Sequence, residues 1–275
     1  MIFRAFYGVP AGDPGPDGFH VNAIRGFLER LARLVAQRRP RHLAIADDDA
    51  WRPDWRVDLI PTYKSHRVAE PVPHGLAPQL PVIGELLRAI GIDMIGVDEH
   101  EAEDVIATWC RLAPGTIEIA SGDRDLFALV EQSRVSVLYP EKSGLAVIDE
   151  HEVTRRYDIP GRRYMDFAIL RGDPSDGLPG LKGVGAVTAA GMIRRHGDIA
   201  GVLRERELRD ADREYLENAI RVVPPVDDLP IELPPGRRDA YPADEAAMRS
   251  LAERYGVTDA CARLVDAARR LAGAE

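Results

Sequence analysis

The chain has 275 residues, a net charge of −9, 45% hydrophobic and 29% charged residues. These proportions support a packed core in one large domain or two modest ones and exclude a disordered chain. No apolar run approaches the roughly 20 residues of a membrane span, no basic stretch and apolar signal core follow Met1, and two cysteines, Cys110 and Cys261, exclude a disulfide framework or four-cysteine zinc site, so a cytoplasmic protein is expected.

Residues 20–39 place Ile24, Phe27, Leu28, Leu31, Leu34 and Val35 at helical spacing between arginines, predicting an amphipathic helix that Pro40 stops. His42–Ala46 reads as a buried strand running into Asp47-Asp48-Asp49. Residues 51–75, with four prolines, read as irregular. Residues 79–90 and 101–112 read as helices and Ile92–Val97 as the strand between them. Thr116–Ala120 is a predicted strand ending at Ser121-Gly122-Asp123, followed by a helical 125–131 and a strand from Val135 to Leu138. Short strands alternating with helices favour a parallel sheet covered on both faces, with ligands at the carboxyl ends of the strands. Beyond about residue 160 the pattern is helical. It is broken by Gly180-Leu181-Lys182-Gly183-Val184-Gly185 and by the proline-rich 224–242, and 243–270 forms a final helical tail.

The charge is uneven. Residues 71–160 carry 7 basic and 16 acidic residues, whereas 1–70 and 161–223 are slightly basic. Three acidic groups stand out. In Glu101-Ala102-Glu103-Asp104, Glu101 and Asp104 are i and i+3, so on one helix their carboxylates converge, while Glu103 points roughly 200° round from Glu101. Asp123 and Asp125 flank Arg124 after a strand, and Asp173 and Asp176 lie in a proline-containing turn. Singly, each has a structural alternative: Asp125 and Asp176 as helix N-caps, Asp173 in an Asx turn, Glu101 at a helix start. Together they form an oxygen-only cluster that would repel itself without cations, which indicates Mg²⁺ or Mn²⁺.

These motifs resemble the structure-specific 5′ nucleases, or flap endonucleases, including the 5′-nuclease domain of bacterial DNA polymerase I. The acidic helix, the Gly122-Asp123-Arg124-Asp125 loop and the Gly172-Asp173-Pro174-Ser175-Asp176 turn leading into a glycine hairpin follow the family order. The Arg-x₆-Tyr-Lys-x-x-Arg signature appears as Arg56, Tyr63, Lys64 and Arg67. The resemblance extends over most of the chain, with no polymerase domain, as in a free-standing form. It implies an α/β fold: a PIN-like parallel sheet with helices on both faces over 1–160, then a helix–hairpin–helix (helix–three-turn–helix) region and helical tail over 161–275.

Carried over by motif, Asp48 (or a neighbour in the Asp47–Asp49 run), Glu101, Glu103, Asp104, Asp123, Asp125, Asp173 and Asp176 are implied as metal ligands. Glu103 stands where the family usually has Asp, Gly177 replaces a common Asn, and the Trp51-Arg52-Pro53 stretch holds one residue more than is common. The implied mechanism is hydrolysis of a phosphodiester with two or more cations, which needs no side-chain nucleophile. Lys64, Arg67 and Arg4 match residues that act at the scissile phosphate, Tyr63 one that stacks on a frayed base, and Arg56 the signature's first arginine. Gly183-Val184-Gly185-Ala186-Val187-Thr188-Ala189 matches the GxGxxTA hairpin. There, glycines and helix N–H groups approach phosphate, which implies Gly180, Lys182, Gly183, Gly185 and Thr188 as DNA contacts and, in the family, a monovalent cation such as K⁺ on hairpin carbonyls.

The expected function is a 5′–3′ exonuclease and flap endonuclease, a monomer acting on duplex DNA with a 5′ end or 5′ flap in replication and repair, with no membrane partner. Two other readings are a PIN-type ribonuclease, against which the hairpin region argues, and a catalytically weak DNA-structure-binding protein. Family members also begin with an apolar strand ending in a ligand Asp that would fall before Met1. The expectation is therefore a true start upstream, with Met1 inside the first helix. Asp13 and Asp17, the nearest substitutes, sit in a Gly/Pro-rich loop.

Overall fold

The computed structural model describes residues 1–12, 14, 18, 20–69 and 72–272; Asp13 and Asp17 lie outside the described residues. In chain order the elements are α1 (Ile2–Gly8), α2 (Asn22–Arg38), β1 (Ala44–Ala46), α3 (Asp54–Leu59), α4 (His66–Ala69), α5 (Gln79–Ile90), β2 (Asp93–Ile95) and α6 (Ala102–Leu112). They continue as β3 (Ile117–Ala120), β4 (Val135–Glu141), β5 (Gly144–Ile148), α7 (Glu150–Tyr157), α8 (Tyr164–Arg171), α9 (Ala186–His196), α10 (Ile199–Glu205), α11 (Asp210–Val222), α12 (Glu245–Arg254) and α13 (Thr258–Ala272). Two compact units form, neither continuous in sequence: Met1–Asp47, Pro71–Ile95 and Leu233–Glu275 make the first, Asp48–Glu70 and Gly96–Glu232 the second.

In the first unit β1 pairs parallel to β2, with Ala44 opposite Asp93 and Ala46 opposite Ile95. The apolar stripe of α2 (Ile24, Phe27, Leu28, Leu31, Val35) is buried with Ile83, Leu86, Leu87 and Ile90 of α5 and Leu264 and Ala268 of α13. Each such side chain contributes about 1.5–3 kcal/mol of burial. Val21 precedes α2 and cannot cap it. The fully buried Gln79 does so instead, its Oε1 accepting the N–H groups of Ala23 (2.8 Å) and Ile24 (3.2 Å).

In the second unit β3 and β4 pair parallel and β4 and β5 antiparallel. Their core continues into the helices after residue 160: Phe127, Val135, Val137 and Ile148 share one cluster with Tyr164, Phe167, Leu170, Ile193 and Leu216. Phe127 meets the rings of Tyr139 and Tyr164 edge-on, each at 5.4 Å between centroids. No helix among the described residues is long and apolar enough to cross a membrane.

The expected mixed α/β fold with parallel strand pairing is present, with local differences. Residues 51–75 contain α3 and α4, because Pro53 sits at an N-cap and does not interrupt a helix. Residues 125–131 form a 3₁₀ helix over Asp125–Leu129. The tail is two helices, since Gly256 takes φ +63° between α12 and α13. Strand β5 had no alternating pattern to announce it: Leu145 and Val147, the residues that should be polar on an outward face, are both 47% exposed.

Candidate active site

Helix α6 begins from a reciprocal arrangement at its N-terminus. Glu101 is the N-cap, with extended backbone (φ −94°, ψ 161°), and its N–H donates to Asp104 Oδ2 at 3.1 Å. Asp104 is fully buried, and its other oxygen accepts Arg56 Nη2 at 2.5 Å and the N–H of Val226 at 2.8 Å. Arg56, 2% exposed, also donates to the Val222 carbonyl at 2.7 Å. This geometry differs from the ligand role expected of Asp104 and the DNA contact expected of Arg56. Both Asp104 oxygens are engaged within the protein and the Arg56 guanidinium is enclosed, so the pair is a buried clasp between α3, α6 and the end of α11.

Glu101 gathers the cationic motif. Tyr63 Oη donates to its Oε2 at 2.6 Å, Lys64 Nζ donates to Oε1, and Arg67 Nη1 lies 3.4 Å from the same oxygen. Burial alone would lift this carboxyl, but the Lys64 and Arg56 charges and the hydrogen bonds from Lys64 and Tyr63 hold it below the usual carboxylate range. Arg67 is fixed by the Trp51 carbonyl at 2.7 Å and stands 4.3 Å over the Trp51 ring. The stacking role expected of Tyr63 does not fit: the ring is 3% exposed, with its hydroxyl turned onto Glu101.

Most of the remaining carboxylates lie near enough to act on one another's charge. Asp48 Oδ1 accepts the N–H of Ala102 at 2.8 Å, which singles it out of the Asp47–Asp49 run as the acid at the head of α6. Glu103, in the first turn, has its pKa pushed up to about 8, by desolvation first and then by the charges of Asp48, Asp123 and Glu101, against the opposing pull of Lys64. Asp123, just past β3, accepts the N–H of Asp125 at 3.0 Å. The Asp125 carboxyl is raised well above its ordinary value by desolvation, by the charges of Asp176 and Asp123, and by a hydrogen bond with Asp176. Asp173 holds its own turn, accepting the Ser175 N–H at 3.0 Å and Arg171 Nη2 at 3.1 Å. Among the described residues no three acidic, histidine or cysteine side chains are already close enough to hold an ion.

The hairpin is built for approach from outside. Leu181 is buried, anchored by its N–H on the Leu170 carbonyl at 3.0 Å, whereas Lys182, Gly183, Gly185, Ala186, Val187 and Thr188 are exposed. Gly183 takes φ +79° with open space around it, and no side chain caps the first amides of α9. Gly180 differs: a Cβ there would stand 2.5 Å from the Gly172 nitrogen, so its glycine is required by internal packing. Arg4 is an exposed residue of α1, in the unit that holds none of the other site residues. Sequence reasoning missed Arg52, whose Nε and Nη2 donate to the carbonyls of Tyr63 and Pro61, each at 2.6 Å. The extra residue in Trp51-Arg52-Pro53 was the one available signal.

Comparison with known proteins agrees with this architecture. Residues 1–158 match the family model of the 5′-3′ exonuclease N-terminal resolvase-like domain, and residues 159–227 that of the 5′-3′ exonuclease C-terminal SAM fold. The chain is 43% identical to a 5′-3′ exonuclease of Streptomyces coelicolor, over 96% of each chain. It is 41% identical to one of Mycobacterium tuberculosis, over 99% of this chain and 96% of the relative. Among solved structures, T5 5′-exonuclease with divalent zinc ions bound superposes with a TM-score of 0.66 at 14% identity, over 98% of this chain and 96% of that one. By sequence over nearly its whole length, and by fold, the chain belongs to the 5′-3′ exonuclease family.

Proposed function

We propose that the chain hydrolyses phosphodiester bonds at 5′ ends and 5′ flaps of duplex DNA with the help of divalent cations. The observation that carries this reading is the neighbouring set Asp48, Glu103, Asp123, Asp125 and Asp176, in which burial first and then mutual repulsion raise the Glu103 and Asp125 carboxyls. Hard oxygen donors without histidine or cysteine suit Mg²⁺ or Mn²⁺. When bound, such ions polarise the phosphate and acidify an attacking water. Glu101 stands beside this set as a further ligand and, in the same position, as the partner of Lys64 and Arg67. When a scissile phosphate takes the place of Glu101 in front of those two cations, they stabilise its developing charge. The exposed hairpin N–H groups and Lys182 grip duplex backbone without reading bases, with K⁺ on the hairpin carbonyls as part of the same reading. In this division of labour the carboxylate set and the hairpin belong to the same unit, Asp48–Glu70 with Gly96–Glu232.

A labelled 5′-flap duplex, a blunt duplex and a matched RNA, each with Mg²⁺ or EDTA, test the proposal. Cleavage of both duplexes in Mg²⁺ alone supports it. RNA cleavage would indicate a ribonuclease, and tight flap binding without a cut in either condition a binding protein.

Two further results are expected. Without divalent cation, thermal stability should fall as pH rises from 4.5 towards 8, because the fold raises the Glu103 pKa from 4.5 to about 8. The stabilising proton is fully held below the unfolded value and lost as pH passes the folded one. Mg²⁺ should flatten that slope, as a melting series with and without EDTA would show; an unchanged slope would remove Glu103 from the ligand set. Gly183→Val should weaken duplex binding and lower the salt dependence by about one phosphate contact, because a side chain at φ +79° is strained and covers the exposed amides. An unaltered salt slope would count against the hairpin grip.

A further inference from the structure

We propose that Gly177 is a positioning residue for Lys64, locking the turn that carries Lys64 onto the turn that carries Asp173 and Asp176. The inference rests on the role given above to Lys64. Lys64 is 4% exposed and has φ +45°, a left-handed conformation that a lysine keeps only where its surroundings impose it. Two sets of contacts hold the backbone of this turn. The Lys64 N–H donates to the Asp176 carbonyl at 2.9 Å, and Arg52 clamps the carbonyls of Pro61 and Tyr63.

Gly177 lies directly against this turn. It takes φ +68°, and a Cβ built on it would stand 1.8 Å from the Thr62 carbonyl oxygen and 3.2 Å from the Lys64 nitrogen. Both are backbone atoms, so no side chain can rotate away to make room. In this chain glycine therefore serves twice, for its φ and for the contact, whereas the Asn common in the family would have to hold the two turns further apart. The Lys64 side chain leaves this lock and ends on Glu101 Oε1, beside the Tyr63 hydroxyl on Oε2. The lock thus sets where the ammonium stands relative to the turn that bears Asp176.

The test uses the full chain with Gly177→Ala. A displacement of the Lys64 turn by about one ångström is expected to lower the single-turnover rate on a 5′-flap duplex about 100-fold, with the Kd for that duplex little changed. Backbone amide exchange at Lys64 should rise while the Phe127 amide stays protected, a local change that general loss of stability does not produce. Lys64→Ala, measured in parallel, separates the two levels. If Lys64→Ala is inactive while Gly177→Ala cuts at the wild-type rate, the positioning inference is overturned and the role of Lys64 stands. If Lys64→Ala cuts normally, both fall. Should Gly177→Ala not fold, the wild-type chain decides: the Lys64 amide should exchange well below the rate of the Thr62 amide in the exposed part of the same turn, and equal rates would refute the lock.

Discussion

Asp123→Ala is expected to slow flap cleavage roughly 100- to 1000-fold while duplex affinity is kept or improved. Asp123 follows β3 directly, where a parallel strand delivers its ligand-binding residue. Its Oδ1 fixes the N–H of Asp125, and its charge is among the causes that lift both Glu103 and Asp125. Removing it deletes a cation ligand and also one negative charge that opposes the approaching phosphate, so rate and affinity should move in opposite directions. The Glu103 pKa should fall towards the ordinary carboxylate value in the same variant. Single-turnover cleavage in Mg²⁺, with binding measured in EDTA, reads both. A variant cutting at nearly the wild-type rate would disprove the ligand assignment.

Asp104→Ala should produce the largest loss of stability, about 3–5 kcal/mol. The Arg56 guanidinium, 2% exposed, would remain in the interior without its carboxylate, and the N–H groups of Val226 and Glu101 would lose their acceptor. A drop in Tm of roughly 10 °C follows for a chain of this size. Replacing both members with apolar residues, Arg56→Met with Asp104→Leu, should recover part of the loss, since it is the orphaned charge that costs most. If Asp104→Ala melts like the wild type but no longer responds to Mg²⁺, Asp104 is a ligand and the clasp is misassigned.

These two aspartates show what could be read from the sequence and what could not. The Asp123 loop was legible because a strand followed by Gly-Asp-x-Asp implies its own geometry. The acidic helix was legible as an element, but its roles were not. Counting 100° per residue from Glu101 gives Glu103 a neighbouring or water-mediated place and makes Asp104 converge with Glu101, whereas the structure sets Glu103 beside Asp48, Asp123 and Glu101 and turns Asp104 to Arg56. The count fails because Glu101 is an N-cap in extended conformation (φ −94°, ψ 161°), so the helical wheel starts only at Ala102. Asp104 then points to the α6 N-terminus and to Arg56, a partner 48 residues away that no local pattern reveals. The family signature implied Tyr63 and Arg56 as DNA contacts, in a proline-rich stretch that read as irregular. That stretch instead forms α3 and α4 and turns both side chains inward. The hairpin glycines were legible as a group, yet sequence could not separate Gly180, held by the Arg171–Gly172 backbone, from the open Gly183.

This carboxylate set is expected to work only with divalent cations, more than one of which takes part. The most direct measurement is the initial rate of 5′-flap cleavage across a Mg²⁺ titration, starting from protein stripped with EDTA. No cleavage is expected without the metal, and a rise steeper than first order in Mg²⁺ at low concentration. Cleavage that persists in EDTA, or no cleavage at any Mg²⁺ or Mn²⁺ concentration by a chain that still binds the flap, would contradict this expectation.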